Sequence, residues 1–296
     1  MFTVLVTGAT GNQGGGVIQA LLSARSNSGI AMNIKALTRN TNSVSAVKLE
    51  NQGVKLVQGD LFNAAALERA LAGCDAAYLV TDFRNPRDLE GEIDQGKNFI
   101  AAAEKQGIGH LVFSSVAGCE DPEVSHFHTK YTIESLLRTS RIPLHTVVRP
   151  VGFMDLIPPT QGFARSMFLS AMQAVFGDVE QKWIACEDIG KAVAAALVEP
   201  DSFGGKVWTV CGDVKTVDGV RESLAKGEGS SIKDWIVWLP RWLVLWSSPF
   251  HYREMFLWLE KGVQPGNVEE TRKIVPDVMD VARWADKKDE SAKKRE

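Results

Sequence analysis

Lysine and arginine total 33 against 36 aspartates and glutamates, so the 296-residue chain carries a formal charge of −3 and has no basic excess. That lack argues against a nucleic-acid partner, whose phosphates demand a cationic footprint. Cysteine is sparse. Cys74, Cys119, Cys186 and Cys211 stand far apart, with no C-x-x-C pair and no histidine at metal-ligand spacing, which removes a disulfide framework and the common zinc modules from consideration. Cys74 and Cys211 lie in apolar surroundings and read as buried, inert thiols. No apolar run reaches membrane-spanning length; the nearest, Trp235 to Trp246, is broken by Pro240 and Arg241. Phe2 to Val6 is too short for a signal peptide. Internal repeats and low-complexity segments are missing too. The expectation is a cytoplasmic protein, nuclear if regulatory, with neither membrane nor nucleic acid as partner.

What is present is a globular composition, 45% hydrophobic and 23% charged, enough for a full core. The N-terminus is the most informative stretch. An apolar, β-branched run (Thr3–Val6) passes into Gly8, Gly11 and Gly14, then into a segment with Val17, Ile18, Leu21 and Leu22 at helical spacing. Strand, glycine turn and helix in that order are the context that gives a glycine motif meaning. Gly8 permits the sharp turn, Gly11 lets backbone N–H groups approach a pyrophosphate, and Gly14 lets the helix pack against the strand. The helix start then presents its positive dipole end to the phosphates.

The alternation continues. Strands are expected at Ile34–Thr38, Lys55–Gln58, Ala77–Val80, His110–Ser114 and His145–Arg149. Helices are expected at Gly15–Ala24, Ser43–Asn51, Asn63–Ala72, Glu90–Gln106 and His126–Ser140. This rhythm predicts an α/β fold, a Rossmann-type doubly wound parallel sheet. Residues 1–150 form the NADP-binding Rossmann part in this reading. A smaller, mostly helical substrate lobe, 151–286, is interleaved with the last Rossmann elements, a helix near 187–198 with Asp188 as a possible cap and a strand near 206–211. Residues 287–296 read as a disordered, solvated tail. Most of the eight tryptophans fall between 231 and 261; packing is the favoured reading of that stripe, pocket lining the second.

The second strand ends at Leu37-Thr38-Arg39-Asn40, and no acid occurs between Gly14 and Glu50. An acid there would hold the ribose 2′-hydroxyl of NAD, whereas an arginine suits a 2′-phosphate, so Arg39 predicts NADP(H). After the third strand, Asp60, Leu61 and Phe62 can meet an adenine or simply form a turn. After the fourth, Thr81, Asp82 and Phe83 should run beneath the pyrophosphate and ribose, with Phe83 towards the nicotinamide.

The segments GATGNQGGGV, LTRN, QGD, QGKNFIAAAEKQGIGHLVFSS and EDIGKAVAAAL resemble the NmrA-like family of atypical short-chain dehydrogenase/reductases, and a weaker likeness reaches the C-terminal MFLWLEKG and DVARWAD. The resemblance implies that Gly8, Thr10, Gly11, Asn12, Gln13 and Gly14 cradle the pyrophosphate. It implies Arg39 and Asn40 at the 2′-phosphate, Asp60 and Leu61 at the adenine, Thr81 and Phe83 in a dinucleotide-contacting loop, and Lys130 at the nicotinamide ribose. The family spans oxidoreductases of secondary metabolism, quinone and dye reductases, and regulators that bind dinucleotide without turnover.

Typical dehydrogenases of this fold use Tyr-x-x-x-Lys, the tyrosine giving a proton to the carbonyl that receives hydride. Four residues before Lys130 stands His126, and Tyr131 points about 100° away round the helix. His126 and Lys130 are therefore the acid–base candidates. Ser114 and Ser115 can hydrogen-bond a substrate oxygen. Phe153 and Met154, with Phe163, Met167 and Phe168, are the tentative apolar substrate wall. Three functions stay open: an NADPH-dependent reductase of a small hydrophobic carbonyl, quinone or enone, a non-catalytic NADP(H) sensor with a protein partner, and a non-redox isomerase or cyclase. No metal is expected.

Overall fold

A computed structural model describes residues 1–231 and 233–293. The chain begins β1 (Phe2–Val6), α1 (Asn12–Ser28), β2 (Met32–Thr38), α2 (Val44–Asn51), β3 (Lys55–Gln58), α3 (Ala64–Leu71) and β4 (Ala76–Val80). It continues α4 (Asp88–Lys105), β5 (His110–Ser114), α5 (Ser125–Arg138), β6 (Leu144–Pro150) and the short β7 (Gly152–Phe153). Then come α6 (Phe163–Phe176), β8 (Gln181–Ile184), α7 (Cys186–Val198), α8 (Pro200–Phe203), β9 (Val207–Val210) and β10 (Asp213–Lys215). The last helices are α9 (Val217–Gly227), α10 (Arg241–Ser247), α11 (Phe250–Leu259), α12 (Val268–Arg272) and α13 (Val281–Lys293).

Seven strands pair in parallel in the order β3-β2-β1-β4-β5-β6-β9. The chain winds outward from β1 through β2 to β3, then restarts at β4 and winds the other way. The strand order therefore reverses between β1 and β4, and a crevice opens beyond their C-terminal ends. A second sheet, β10-β8-β7, stands apart from the first.

The strands read as unbroken apolar runs because both sheet faces are covered. Val4, Val6, Tyr78 and Val112 point into one buried cluster with Val17 and Ile18 of α1 and Ile189 and Val193 of α7. Leu5, Leu79, Leu111 and Phe113 point the other way, to Leu67 of α3, Phe99 of α4 and Ile133 of α5. Helices α1 and α7 touch backbone to backbone: a Cβ on Gly190 would stand 2.3 Å from the carbonyl carbon of Gly16.

The second half departs from several expectations. Asp188 does not cap α7. It lies buried inside the helix, accepts from the Met279 N–H at 2.8 Å and pairs with Lys191 at 2.9 Å. Burial, the largest influence, raises its carboxyl above the ordinary range despite those partners. The supposed tail is helical as far as Lys293. Trp284 is buried, Lys287 pairs with Glu187 at 2.5 Å and Lys288 with Asp155 at 2.9 Å, so the segment is pinned to α7 and the loop after β7. Residues 294–296 lie outside the described residues. Of the tryptophans in that stretch only Trp258 is buried; Trp238, Trp242 and Trp246 are between 68% and 81% exposed, so the stripe is not a packed core. Among the described residues, no helix is long and apolar enough to cross a membrane.

Candidate active site

The site starts where β1 leaves the sheet. The Thr7 hydroxyl accepts from the Val80 N–H at 2.9 Å and ties the end of β1 to the end of β4. Gly8 follows at φ +58°, a left-handed conformation that favours glycine. At Gly14 a Cβ would meet the Gly8 carbonyl oxygen at 2.3 Å and Thr7 oxygen at 2.6 Å. Gly14 is therefore what allows α1 to rise directly off the turn. Helix α1 opens at Gly11 with no side-chain cap and no acid in its first turn. Ser43, Asn63, Thr216 and Asn267 cap α2, α3, α9 and α12, while α4, α5, α6 and α7 also start without a side-chain cap. The first N–H groups of α1 are left to an outside acceptor, and Gly8, Thr10, Gly11 and Asn12 are exposed around them. This arrangement fits a dinucleotide pyrophosphate. Gln13 turns inward instead: its side-chain oxygen accepts from Ser114 Oγ at 2.7 Å and from the Tyr78 hydroxyl at 3.5 Å, anchoring the turn to β5 and β4.

Arg39 and Asn40 lie exposed at the end of β2, and Arg39 forms no ion pair among the described residues. Asn40 Oδ1 accepts from the Asn42 N–H at 2.9 Å, which fixes the turn into α2. Beyond β3, Asp60 Oδ1 accepts from the Phe62 N–H at 2.8 Å, a turn role. Leu61 packs partly against the second core cluster, and its carbonyl accepts from Asn98 Nδ2 at 3.1 Å.

Beyond β4 the side chains become a closed network. Lys130 Nζ of α5 donates to the Thr81 carbonyl at 2.8 Å and to Thr81 Oγ1 at 2.9 Å, and lies 2.8 Å from Glu92 Oε1. Glu92, fully buried on α4, also accepts from Thr81 Oγ1 at 3.1 Å and from Thr129 Oγ1. An ammonium has three N–H bonds, and three acceptors surround Lys130. Its charge is compensated by Glu92, which fits a positioned cation better than a proton donor.

His126 is only 5% exposed. Its ring lies 4.6 Å from the Phe83 ring, 6.1 Å from His251 and 6.2 Å from Tyr252. Burial first, and the neighbouring His251 second, depress its pKa to about 4, so the imidazole is neutral at pH 7. A neutral imidazole can donate a hydrogen bond but is a poor proton source.

The serines divide. Ser114 faces Gln13 and the turn, whereas Ser115 faces Glu134 and Cys119. Burial works against ionisation of Glu134, but Arg149 at 2.7 Å and Ser115 outweigh it and hold the carboxyl below its ordinary range. Met154 is fully buried in a third cluster with Ile157, Leu169 and Trp183, so it packs a core rather than walling a pocket. Phe153 is half-buried against the first core cluster. A cavity of about 500 Å³ is lined by Lys206–Thr209, Gly266, Asn267 and Glu270 at the edge strand β9, and none of these is among the residues gathered at the switch point.

Residues 2–261 match the model of the NmrA-like family. The chain belongs to the NmrA-like family. The NmrA-like family domain-containing oxidoreductase cpsB of Aspergillus campestris is 28% identical over 258 residues, covering 78% of this chain and 74% of that protein. A (4-alkanoyl-5-oxo-2,5-dihydrofuran-3-yl)methyl phosphate reductase of Streptomyces griseus is 32% identical over 211 residues, covering 71% and 67%. The crystal structure of Citrobacter sp. triphenylmethane reductase complexed with NADP(H) superposes with a TM-score of 0.74 at 22% identity, covering 96% of this chain and all of that one. At that identity the superposition speaks for the Rossmann-like fold.

Several residues of the site escaped the sequence reading. Glu92 carried a signal: it is a carboxylate on the apolar stripe of α4, in line with Gln95, Gly96 and Phe99. Tyr252, His251 and Glu254 carried none, because α11 reaches His126 from 125 residues away in sequence.

Proposed function

We propose that the protein is an NADPH-dependent reductase of a small hydrophobic quinone, enone or carbonyl compound. The observation that carries this reading is the uncapped glycine-rich start of α1 at the strand ends, together with an aromatic cluster of buried His126 and half-buried Phe83 and Tyr252. The triphenylmethane reductase and its NADP(H) support it by analogy, as do the oxidoreductase relatives. The dinucleotide supplies the hydride. The chain's residues do the rest. Backbone N–H groups at Gly11 to Gly14 would hold the pyrophosphate, and Arg39 with Asn40 the 2′-phosphate. Lys130, fixed by Thr81 and Glu92, sets a positive charge beside the ribose. Phe83, His126 and Tyr252 exclude water and offer an apolar aromatic surface to the acceptor. Neutral His126 donates a hydrogen bond to an acceptor oxygen, where the usual tyrosine is missing. A quinone or activated alkene asks for little more.

The test is NADPH oxidation followed by absorbance against a panel of quinones, enones and ketones. Turnover with at least one class, reduced by Phe83→Ala, is expected. Tight NADPH binding without turnover across the panel overturns the reading. That result would favour the second one, a dinucleotide-sensing regulator, for which the exposed Trp238, Trp242 and Trp246 offer a protein-binding face.

A further inference from the structure

Helix α11 brings two metal-binding side chains, His251 and Glu254, to the first turn of α5. They are three residues apart and so share one helix face. His126 stands opposite them. One ligand atom from each of the three lies within 4.8 Å of the others, with His126 buried and the other two half-buried.

A second observation concerns His126 alone. Neither of its ring nitrogens has a hydrogen-bond partner among the described residues, and Nδ1 is fully buried. A buried polar atom without a partner is a standing cost to the fold, and a ligand that supplies the missing contact removes it. Across from it, the Ser125 hydroxyl bridges His251 Nδ1 at 3.0 Å and the Glu254 carboxylate. Those are two atoms a cation would take. The other nitrogen of His251 lies 3.1 Å from Asp88 Oδ2. A carboxylate on the far nitrogen of a ligating imidazole is the outer-shell arrangement that fixes its tautomer and orients the ring.

We propose that His126, His251 and Glu254 form a three-ligand site for a divalent transition metal, with Asp88 orienting His251. Two imidazoles and one carboxylate are a zinc donor set that leaves a fourth position to water. Zinc–ligand bonds of about 2.0–2.2 Å would be reached through side-chain rotation of the half-buried His251 and Glu254. The ion would also clamp α11 onto α5 over Phe83. The site shares His126 with the reductase reading but none of the dinucleotide contacts, and metal binding is measured without cofactor or acceptor, so the two readings fail separately.

The experiment uses tag-free, full-length protein stripped with a chelator and titrated with zinc against a chromophoric chelator, with thermal unfolding in parallel. One zinc per chain and a rise in unfolding temperature on zinc addition are expected. Cobalt in place of zinc should give the intense visible bands of a tetrahedral or five-coordinate site. Glu254→Gln and His251→Gln should each weaken zinc at least about tenfold, and Asp88→Asn by a similar factor, in the range seen for outer-shell partners. Each variant's metal-free unfolding temperature reports that it folds. Absence of stoichiometric binding overturns the proposal. So does zinc affinity unchanged in folded His251→Gln and Glu254→Gln.

Discussion

Glu92→Gln isolates the element that most sharply separates a positioned lysine from a surface one. The carboxylate is fully buried, and the Lys130 side chain 2.8 Å away is only 12% exposed. The substitution keeps shape and removes the charge. One carboxylate oxygen becomes an amide N–H₂, which cannot accept, so either Thr129 or the Thr81–Lys130 pair loses an acceptor. Lys130 keeps the Thr81 carbonyl and hydroxyl but loses its counter-charge. Breaking one partner of a buried pair costs about 3–5 kcal/mol, which lowers the unfolding midpoint by about 5–8 °C for a chain of this size. Lys130→Met leaves the complementary orphan on Glu92 and should cost a similar amount. The double variant Glu92→Gln/Lys130→Met removes both charges and should be less destabilised than the two singles combined, since neither charge is then left uncompensated. Urea unfolding of all four proteins closes the cycle. A Glu92→Gln protein within about 0.5 kcal/mol of the parent, the scatter of ordinary surface changes, would refute a structural pair. So would a double variant as unstable as the two singles combined.

Arg39→Ala should weaken NADPH by about 10–100-fold, the worth of charge-assisted hydrogen bonds of about 1.5–3 kcal/mol, and leave NADH nearly unchanged; a parallel titration in which both weaken equally, or in which NADH binds the parent more tightly, sinks the 2′-phosphate assignment. Gly190→Ala puts a Cβ 2.3 Å from the Gly16 backbone, so α1 and α7 must separate, at about 1–3 kcal/mol; an unchanged unfolding midpoint would contradict the close contact. His110 is buried, donates or accepts at Thr146 Oγ1 over 2.8 Å, and has its pKa lowered from 6.5 to about 4 by burial first and His145 second. The unfolded chain takes up this proton below pH 6.5 while the folded one does not until about pH 4, so stability falls by about 1.4 kcal/mol per pH unit as pH drops through that window. His110→Gln should flatten the acid limb of unfolding free energy against pH, and superimposable limbs would show that His110 does not contribute.

The first half of the fold was legible because each of its elements carries its own signal. The strands Thr3–Val6, Ile34–Thr38 and His110–Ser114 are apolar runs cut by turns; the first two are observed one and two residues longer, and the third has the expected bounds. Gly14 could be read as a close-packing glycine from its place three residues after Gly11, and the contact with Gly8 bears this out. Met154, Asp188 and the tryptophans misled for a common reason. A methionine after a strand, an acid at a helix start and an aromatic stripe each have two physically sensible fates, and a linear pattern holds nothing that chooses between them. For Asp188 the choice was made by Met279 and Lys191, one of them 91 residues away.

The sequence by itself determined the parallel sheet, the glycine turn on which α1 starts and the lack of an acid after β2, because these depend on local backbone freedom and on period-2 and period-3.6 burial. Tertiary structure alone decided what surrounds Lys130 and His126. Glu92 sits 38 residues before Lys130, and His251 and Glu254 lie more than a hundred residues beyond His126. Whether a buried lysine is compensated, and whether a buried imidazole faces a carboxylate or an empty wall, depends on charges and ligands brought together through space, and distance along the chain does not encode that.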